Sequence, residues 1–182
     1  MSAYNKAAYA ATRNAMTAEL LRQRLSYDPQ TGVFTWLETH VHRLGKEAGS
    51  TRTGVKAKGG SYRMINIGGA LFRAHRLAWL YMTGEWPTTD VDHINGNRAD
   101  NRWSNLRLAS RAENNANAGL PKNNTSGVKG VSFDPKRKRP WRAMISKDNR
   151  SRLLGDFSTK EEAATAYQQA AMEQFGEFAR LD

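Results

Sequence analysis

The sequence predicts an α+β fold of small strands and short helices, on three observations. Two alternating runs flank Gly68-Gly69 in RMINIGGALFRAHR, which is typical of a β-hairpin whose tight turn uses positive φ angles. Residues 91–117 give a strand, a long loop, a second strand and a helix. Three short strands are predicted near residues 128–133, 140–147 and 151–157, and the helix that follows has alanines at helical spacing, which favours close packing on a sheet.

Composition and turn signals divide the chain into three predicted segments. Residues 1–60 hold a helix over 4–25, a DPQTG turn, the short strand VFTW and a basic, glycine-rich loop. Residues 61–120 hold the hairpin, a buried helix in HRLAWLYMTGEWP closed by Gly84, and the strand–loop–strand–helix unit. The linker GLPKNNTSG then leads into the module of residues 121–182.

The composition indicates the class of partner. The net charge of +11 points to a polyanion, most often nucleic acid. The absence of cysteine excludes disulfides and thiolate zinc sites and suits a reducing cytosol. No run approaches the roughly 18 apolar residues of a membrane span, and the first residues lack the apolar core of a signal peptide. We therefore expect a cytoplasmic protein with no membrane partner; no protein partner or oligomeric state is predicted.

The charge is unevenly distributed within the C-terminal module. From Lys122 to Arg152 there are ten lysines and arginines against two aspartates, a net charge of +8. From Leu153 to Asp182 there are two basic residues against six acidic ones, a net charge of −4. Strand alternation places Trp141, Ala143 and Ile145 against the helix, and the opposite face is expected to look outward with the basic residues. The sequence thus predicts a face for phosphates with an acidic helix behind it.

The stretch VDHINGNRADNRWSNLR carries residues suited to phosphodiester chemistry. Histidine can deprotonate water near neutral pH, which indicates His93 as a general base. The adjacent Asp92 points to the other side of the strand, so it is more naturally a hard oxygen ligand for magnesium or manganese. A second oxygen ligand is expected from an amide on the next helix, where Ser110-Arg111-Ala112-Glu113 forms a capping box. Asn105, on the returning strand, is placed to brace the loop.

DHINGNRADNRWSNLR followed by AENNAN, with HRLAWLYMTGEWP upstream, resembles the HNH motif of phage homing endonucleases. The resemblance implies a ββα-metal core that holds one divalent ion, Mg²⁺ or Mn²⁺. By position it makes Asp92 a metal ligand, His93 the general base, Asn105 the structural asparagine and Asn114 the second metal ligand. Asn117 is the alternative ligand, because residues three apart share a helix face. For a phage protein, the implied location is the host cytoplasm.

Residues 126–182 resemble the plant ethylene-response-factor (AP-two) type of DNA-binding domain. The resemblance rests on the VKGV start, the LLGDFST bend and the EEAATAY helix. It implies a three-stranded antiparallel sheet in the major groove of double-stranded DNA, packed on one helix. The positions at which plant members use arginine, glutamate and tryptophan hold different residues: Lys129, Ser132, Met144, Ser146, Ser151 and Leu153. The residues predicted to contact DNA are Lys129, Arg137, Arg139, Arg142, Arg150 and Arg152.

Three functions of different class are compatible with these patterns. The first is a metal-dependent endonuclease that nicks or fully cleaves double-stranded DNA and is targeted by its C-terminal module. The second is a non-catalytic, sequence-specific DNA-binding or regulatory protein, and the third a nucleic-acid chaperone that acts through charge alone. The intact set of Asp92, His93 and Asn114 favours the endonuclease over the second. A charge-only protein would not need a histidine-bearing loop.

The remaining histidines are less informative. His75 begins a buried helix, where a structural role is favoured over a catalytic one by about two to one. His40 and His42 alternate in THVHR and could bind a metal ion, but two histidines without further ligands are weak support. They are interpreted as surface residues.

Overall fold

A computed structural model describes residues 15–37, 43–51, 61–121 and 123–181. Within these ranges the residues up to Leu108 form one compact unit, and those from Ala109 onward form a second. The boundary falls inside the predicted segment 61–120, and the division into three segments stays a prediction. His40, His42, Lys122, the first part of the predicted N-terminal helix and the basic loop from residue 52 to 60 lie outside the described residues.

The first unit opens with a short helix and a hairpin. Helix α1 (Ala18–Arg24) is capped by the Thr17 hydroxyl, which accepts a hydrogen bond from the Leu20 amide. Strands β1 (Leu25–Asp28) and β2 (Val33–Trp36) pair antiparallel around the predicted DPQTG turn. The expectation that the helix includes residue 25 is wrong, because Leu25 already belongs to β1 and pairs with Trp36.

A three-stranded sheet and a helix complete the fold of the first unit. Strands β3 (Ser50–Thr51), β4 (Arg63–Ile67) and β5 (Ala70–Arg73) pair antiparallel in that order. The predicted Gly68-Gly69 turn is confirmed, with φ angles of 57° and 85°. Strand β5 runs directly into helix α2 (Ala74–Thr83), which ends at Gly84 in the left-handed conformation as predicted. The core contains the fully buried side chains of Leu21, Leu25, Phe34, Ile65, Ile67, Leu77 and Leu80.

The predicted strand–loop–strand–helix series is present in chain order. Strand β6 (Asp90–His93) pairs with β7 (Leu106–Ala109), and a single 3₁₀ turn over Trp103–Asn105 leads into β7. Helix α3 (Arg111–Asn117) follows, and its predicted capping box is formed. Local signals therefore suffice to place these elements, whereas the ββα-metal arrangement itself stays a prediction.

The second unit contains a three-stranded antiparallel sheet in the order β10–β9–β8. These strands are β8 (Val131–Phe133), β9 (Trp141–Lys147) and β10 (Arg150–Phe157). Helix α4 (Lys160–Phe175) begins at the predicted capping box of Thr159 and packs against β9 and β10. Its buried face carries Ala163, Tyr167, Ala170, Ala171 and Phe175. The small alanines let the helix backbone approach the sheet, so the predicted secondary structure of this region is confirmed.

A membrane-spanning helix is absent from the described residues, since none of their helices has the length and apolarity to cross a bilayer.

Candidate active site

Asp92 and His93 are the last two residues of β6, and both are buried, with 5% and 4% of their surface exposed. Neighbouring residues of a strand point to opposite sides, so each of these groups reaches a partner of its own. The chain turns at the end of the strand, where the Gly96 amide donates to the His93 carbonyl over 2.8 Å. The pair therefore stands at the start of residues 94–105, called the site loop below.

The Asp92 carboxylate pairs with Arg107 on β7. The Arg107 Nε atom donates to Oδ2 of Asp92 over 3.1 Å, and the two side chains are 12% and 6% exposed. A buried carboxylate needs a cationic or hydrogen-bonding partner, because removing a charge from water is costly. Arg107 supplies that partner from the returning strand. It was not among the predicted site residues.

His93 is hydrogen-bonded to Asn101, which also was not predicted. The ring atom Nε2 lies 3.2 Å from Oδ1 of Asn101, and Asn101 is only 2% exposed. The Asn101 amide nitrogen donates to the Ala99 carbonyl over 3.2 Å, which fixes the orientation of the amide. The amide oxygen therefore faces the imidazole and accepts a hydrogen bond from Nε2–H.

Two further rings pack around His93. The His75 ring meets it edge-on with 4.9 Å between centroids, and the Tyr62 ring lies 4.9 Å from His75 and 6.1 Å from His93. Burial lowers the pKa of His93, although the hydrogen bond with Asn101 and the charge of Asp92 oppose the shift. Burial, followed by the neighbouring His93 and nearby arginines, lowers the pKa of His75 to about 2. Both imidazoles are therefore neutral at pH 7, and a neutral His93 can accept a proton.

Two guanidinium groups lie over the Tyr62 ring and are called the arginine pair below. The Cζ atoms of Arg73 and Arg98 are 4.8 and 4.9 Å from its centroid. Arg73 is the exposed last residue of β5, and Arg98 belongs to the site loop. Two cations beside one ring make its surroundings positively charged, which favours an anion. The surroundings of His93 are thus suited to a phosphate group.

Asn105 joins the two ends of the site loop. Its side-chain oxygen accepts from the Asn95 amide over 3.0 Å, and its amide nitrogen donates to Oδ1 of Asn95 and to the Asp100 carbonyl over 3.0 and 2.8 Å. Its main-chain carbonyl accepts from the Ile94 amide over 2.9 Å. Loop bracing by Asn105 stays a prediction, and these bonds are its structural basis.

The predicted ligand Asn114 lies on α3, in the second unit. The helix start is fixed by the capping box, in which the Ser110 hydroxyl accepts from the Glu113 amide over 3.3 Å and the Glu113 carboxylate from the Ser110 amide over 2.7 Å. Asn114 is half-buried, whereas its alternative Asn117 is 6% exposed. Burial does not separate the two amides, because the predicted ligand Asp92 is itself only 5% exposed.

The donor chemistry of the predicted metal site fits a hard divalent ion. Among the described residues, no group of three or more histidine, aspartate or glutamate side chains is placed to hold a metal ion. The predicted set does not require one, since it pairs the Asp92 carboxylate with the Asn114 amide. Carboxylate and amide oxygens are the donor types that Mg²⁺ and Mn²⁺ accept, with water in the remaining positions.

Two of the residues predicted to contact DNA are paired with acids in the second unit. Arg142 donates to both carboxylate oxygens of Asp156 over 2.7 and 3.0 Å, and these bonds hold the pKa of Asp156 below its usual value. Arg137 pairs with Asp134 at 3.0 Å and lies 3.7 Å from Asp156. Their positive charges are therefore largely balanced within the unit.

Lys129 has a structural contact as well. Its ammonium group donates to three carbonyls at the end of α3, those of Asn115, Ala116 and Ala118, over 3.1, 2.6 and 2.6 Å. A cation at this position suits the negative end of the helix dipole. Contact of Lys129 with DNA stays a prediction.

The sheet register separates Arg150 and Arg152 from the outward face. Arg152 pairs with Ile145, which is buried beneath α4, and directly paired residues point to the same side of a sheet. Arg150, two residues earlier, shares that side. The expectation that the basic residues share the outward face is therefore wrong for these two arginines. The outward face carries Ser132, Arg142, Met144, Ser146, Ser151, Leu153 and Asp156.

Comparison with known proteins decides the family. A profile described as HNH endonuclease matches residues 72–116. Protein 3.8 of Escherichia phage T7 is 35% identical over 110 residues, which are 60% of this chain and 89% of that protein. Residues 72–116 therefore form a segment of the HNH endonuclease type. An uncharacterized HNH endonuclease of Acanthamoeba polyphaga mimivirus is 35% identical over 107 residues, 58% of this chain and 54% of that protein. No solved structure shows a significant match.

The family match covers part of the site. Residues 72–116 include Asp92, His93, Asn101 and the arginine pair, together with Asn105, Arg107 and Asn114. Tyr62 and the β1–β2 hairpin lie before the matching segment. The C-terminal strands and α4 lie after it, so their resemblance to the AP-two type of domain remains a prediction.

Proposed function

We propose that this HNH-family protein is a metal-dependent endonuclease that hydrolyses phosphodiester bonds of double-stranded DNA, as a nick or a double-strand break. The observation that carries the proposal is the buried, neutral imidazole of His93 beside the paired carboxylate of Asp92, within the segment that matches the family. The resemblance to phage homing endonucleases adds to this proposal that the protein is a homing-type nuclease and that it acts in the host cytoplasm.

His93 acts as the general base in this proposal. Hydrolysis requires a water molecule to lose a proton as it attacks phosphorus, and a neutral imidazole accepts that proton near neutral pH. The lowered pKa of His93 keeps the ring unprotonated before the reaction. The bond from Nε2–H to Asn101 leaves Nδ1 as the basic nitrogen.

Asp92 and Asn114 would hold the divalent ion. When bound, a metal ion of this kind supplies positive charge to the phosphate and to the leaving oxygen. Arg107 contacts Oδ2 of Asp92, which orients the carboxylate before any ion arrives. Asn114 is chosen over Asn117 because the family resemblance assigns it the last position of the motif.

The arginine pair would hold the DNA phosphate. Arg73 and Arg98 lie on the ring of Tyr62, which borders both histidines, so a phosphate bound by them would stand near His93. Guanidinium groups bind phosphate with two parallel hydrogen bonds, which orients the group as well as attracting it.

The second unit would target the nuclease to its DNA, in keeping with the resemblance to an AP-two type domain. Arg139, Arg150 and Arg152 are exposed and, among the described residues, form no ion pair, so they are favoured for phosphate contacts over Lys129, Arg137 and Arg142. The outward sheet face offers Met144 and Leu153 for apolar contacts with bases.

Plasmid cleavage tests the proposal. Purified protein is incubated with supercoiled plasmid and Mg²⁺ or Mn²⁺, and nicked and linear products are resolved beside a chelator control. We expect metal-dependent nicked or linear product. DNA binding without cleavage under all metal conditions would favour the non-catalytic DNA-binding function instead.

A further inference from the structure

The β1–β2 hairpin contacts the site loop at three points. The Tyr27 hydroxyl donates to the Asn101 carbonyl over 2.6 Å, and the Trp103 amide donates to the Pro29 carbonyl over 2.9 Å. The third point is Gly32, at the end of the hairpin turn, which lies directly against the backbone of residues 101–102. The contacts bring together parts of the chain about 70 residues apart, so neither segment fixes this geometry alone.

Gly32 makes the closest of these approaches. A Cβ atom added at Gly32 would lie 2.4 Å from the Arg102 amide nitrogen and 2.4 Å from the Asn101 carbonyl carbon. Both are backbone atoms, so they cannot move aside as a flexible side chain could. Gly32 also has a φ of 74°, which favours glycine. The turn can therefore press on the site loop only while residue 32 lacks a side chain.

Asn101 transmits the position of the hairpin to His93. Its main chain is held by Tyr27 and Gly32, and its buried side chain accepts from the His93 ring. The bond to the Ala99 carbonyl prevents the amide from turning its nitrogen toward the ring. Burial of the Tyr27 hydroxyl raises its pKa, so it remains a hydrogen-bond donor at neutral pH.

We infer that Asn101 is a positioning residue for His93, and that the β1–β2 hairpin holds Asn101 in place. The inference rests on the proposed role of His93 as the base. It extends the catalytic unit beyond residues 72–116, to a hairpin that starts at Leu25. A 1 Å displacement of a catalytic group can cost about 100-fold in rate, so a distant hairpin can control activity.

The first experiment observes the imidazole directly, in the full chain labelled with ¹⁵N at its four histidines. The signal lost in His93→Gln assigns His93. In the wild type, we expect the proton on Nε2 of His93 to exchange slowly with water. Exchange should also be slow in Asn101→Asp, because the aspartate oxygen still accepts the hydrogen bond. It should be rapid in Asn101→Leu, which has no acceptor. A proton on Nδ1 in the wild type, or equal exchange in the two Asn101 variants, overturns the inference.

Rates on DNA add a second readout for the same variants. Asn101→Leu should lower kcat by about 10- to 100-fold with little change in KM, since the substrate contacts remain. Asn101→Asp should recover part of that loss. If Asn101 had only a structural role, Asn101→Asp would lose more activity than Asn101→Leu, because aspartate places an additional charge in a buried position.

A matched pair of glycine variants tests the hairpin. Gly32 and Gly45 have φ angles of 74° and 73°, but a Cβ atom at Gly45 would meet nothing within 4 Å. Both alanine variants bear the same backbone strain, and only Gly32→Ala pushes on the site loop. We expect Gly32→Ala to lower kcat by about 10-fold or more and to speed exchange of the His93 proton. Equal effects of the two variants on both readouts overturn the role of the hairpin.

Tyr27→Phe keeps the test decisive if Gly32→Ala does not fold. It removes only the hydroxyl that donates to Asn101, and we expect a several-fold loss of kcat with faster exchange at His93. Unchanged exchange in this variant contradicts the inference. The exchange of the His93 proton is measured without DNA cleavage. If the wild type is inactive but its His93 proton exchanges slowly, the proposed function fails and the positioning of His93 by Asn101 stands.

Discussion

The two compact units carry their charged groups in different ways. In the first, Asp92 and Arg107 are buried and pair at 3.1 Å, and His93 is kept neutral by burial. In the second, the basic residues are largely at the surface, and two of the arginines pair with Asp134 and Asp156. A few buried groups are suited to chemistry at one point, whereas many exposed charges are suited to holding a long polyanion. Formal charge therefore indicates the class of partner, whereas burial distinguishes the residues proposed for chemistry from those proposed for binding.

The largest expected effect is at His93. Replacing it with alanine removes the general base, and we expect the cleavage rate to fall by about 10²- to 10⁴-fold while DNA affinity stays within a few fold. Plasmid nicking and a gel-shift titration measure the two quantities. If His93→Ala cleaves DNA at the wild-type rate, His93 is not the general base and the chemical role proposed for the first unit is wrong.

The second largest effect is expected at the proposed metal ligands, whose variants test which amide side chain binds the ion. Asp92→Ala and Asn114→Ala should each lose at least about 100-fold of the metal-supported rate, because an ion held by too few ligands cannot stabilise the phosphate charge. Asn117→Ala should lower the rate less, because the family resemblance assigns the ligand position to Asn114. Titration with Mg²⁺ and Mn²⁺ compares the three variants. An inactive Asn117→Ala beside an active Asn114→Ala would reassign the ligand.

The arginine pair should show a smaller effect, mainly on substrate binding. Arg73→Ala removes one guanidinium beside Tyr62, and we expect about a tenfold loss of kcat/KM on a short duplex. Arg22→Ala is the control, because Arg22 lies over the Tyr81 ring at 5.4 Å in the same unit and Tyr81 is not in contact with either histidine ring. This variant also removes the hydrogen bond from Arg22 to the Tyr81 carbonyl, so it sets an upper limit for the loss of the ring interaction. Similar losses in both variants would mean that removal of a cation–ring interaction, rather than of a phosphate-binding group, explains the result.

The smallest effect is expected in the second unit, where the salt dependence of binding separates paired from unpaired arginines. Removing one arginine that binds a DNA phosphate should make the slope of log affinity against log salt shallower by about 1. We expect this change for Arg139→Ala and for Arg150→Ala, and a smaller one for Arg142→Ala because Asp156 already balances its charge. Slopes that change only for Arg142→Ala would contradict the choice of Arg139 and Arg150, and would show that Arg142 leaves Asp156 to bind a phosphate.

Local signals allowed much of the fold to be predicted. The Gly68-Gly69 turn and the capping boxes at Ser110 and Thr159 depend on residues within four positions of one another, and all three are present. Strand β1 was missed because Leu25 continues an amphipathic helical pattern. Its pairing with Trp36 decides the conformation, and no local pattern contains that contact.

The candidate site was predictable only where a motif carries it. Asp92, His93 and Asn105 stand at recognisable spacings, but Asn101 looked like one more amide of a polar loop. Its burial depends on Tyr27, 74 positions earlier in the chain. Likewise, the position of Arg152 relative to the sheet follows from its pairing with Ile145, which charge counting cannot detect.

The ion pair between Asp92 and Arg107 has a consequence for how the protein can be stored. In small zinc domains the ion is needed for folding, because the liganding side chains have no other partners. Here the buried carboxylate already has a guanidinium partner, so the first unit does not depend on a bound ion to offset that charge. We expect chelator-treated protein to remain folded, with a melting temperature lowered only by the binding free energy of the ion. With the proposed metal dependence, the ion-free protein would be folded but inactive, and a rise in the cation concentration would activate it.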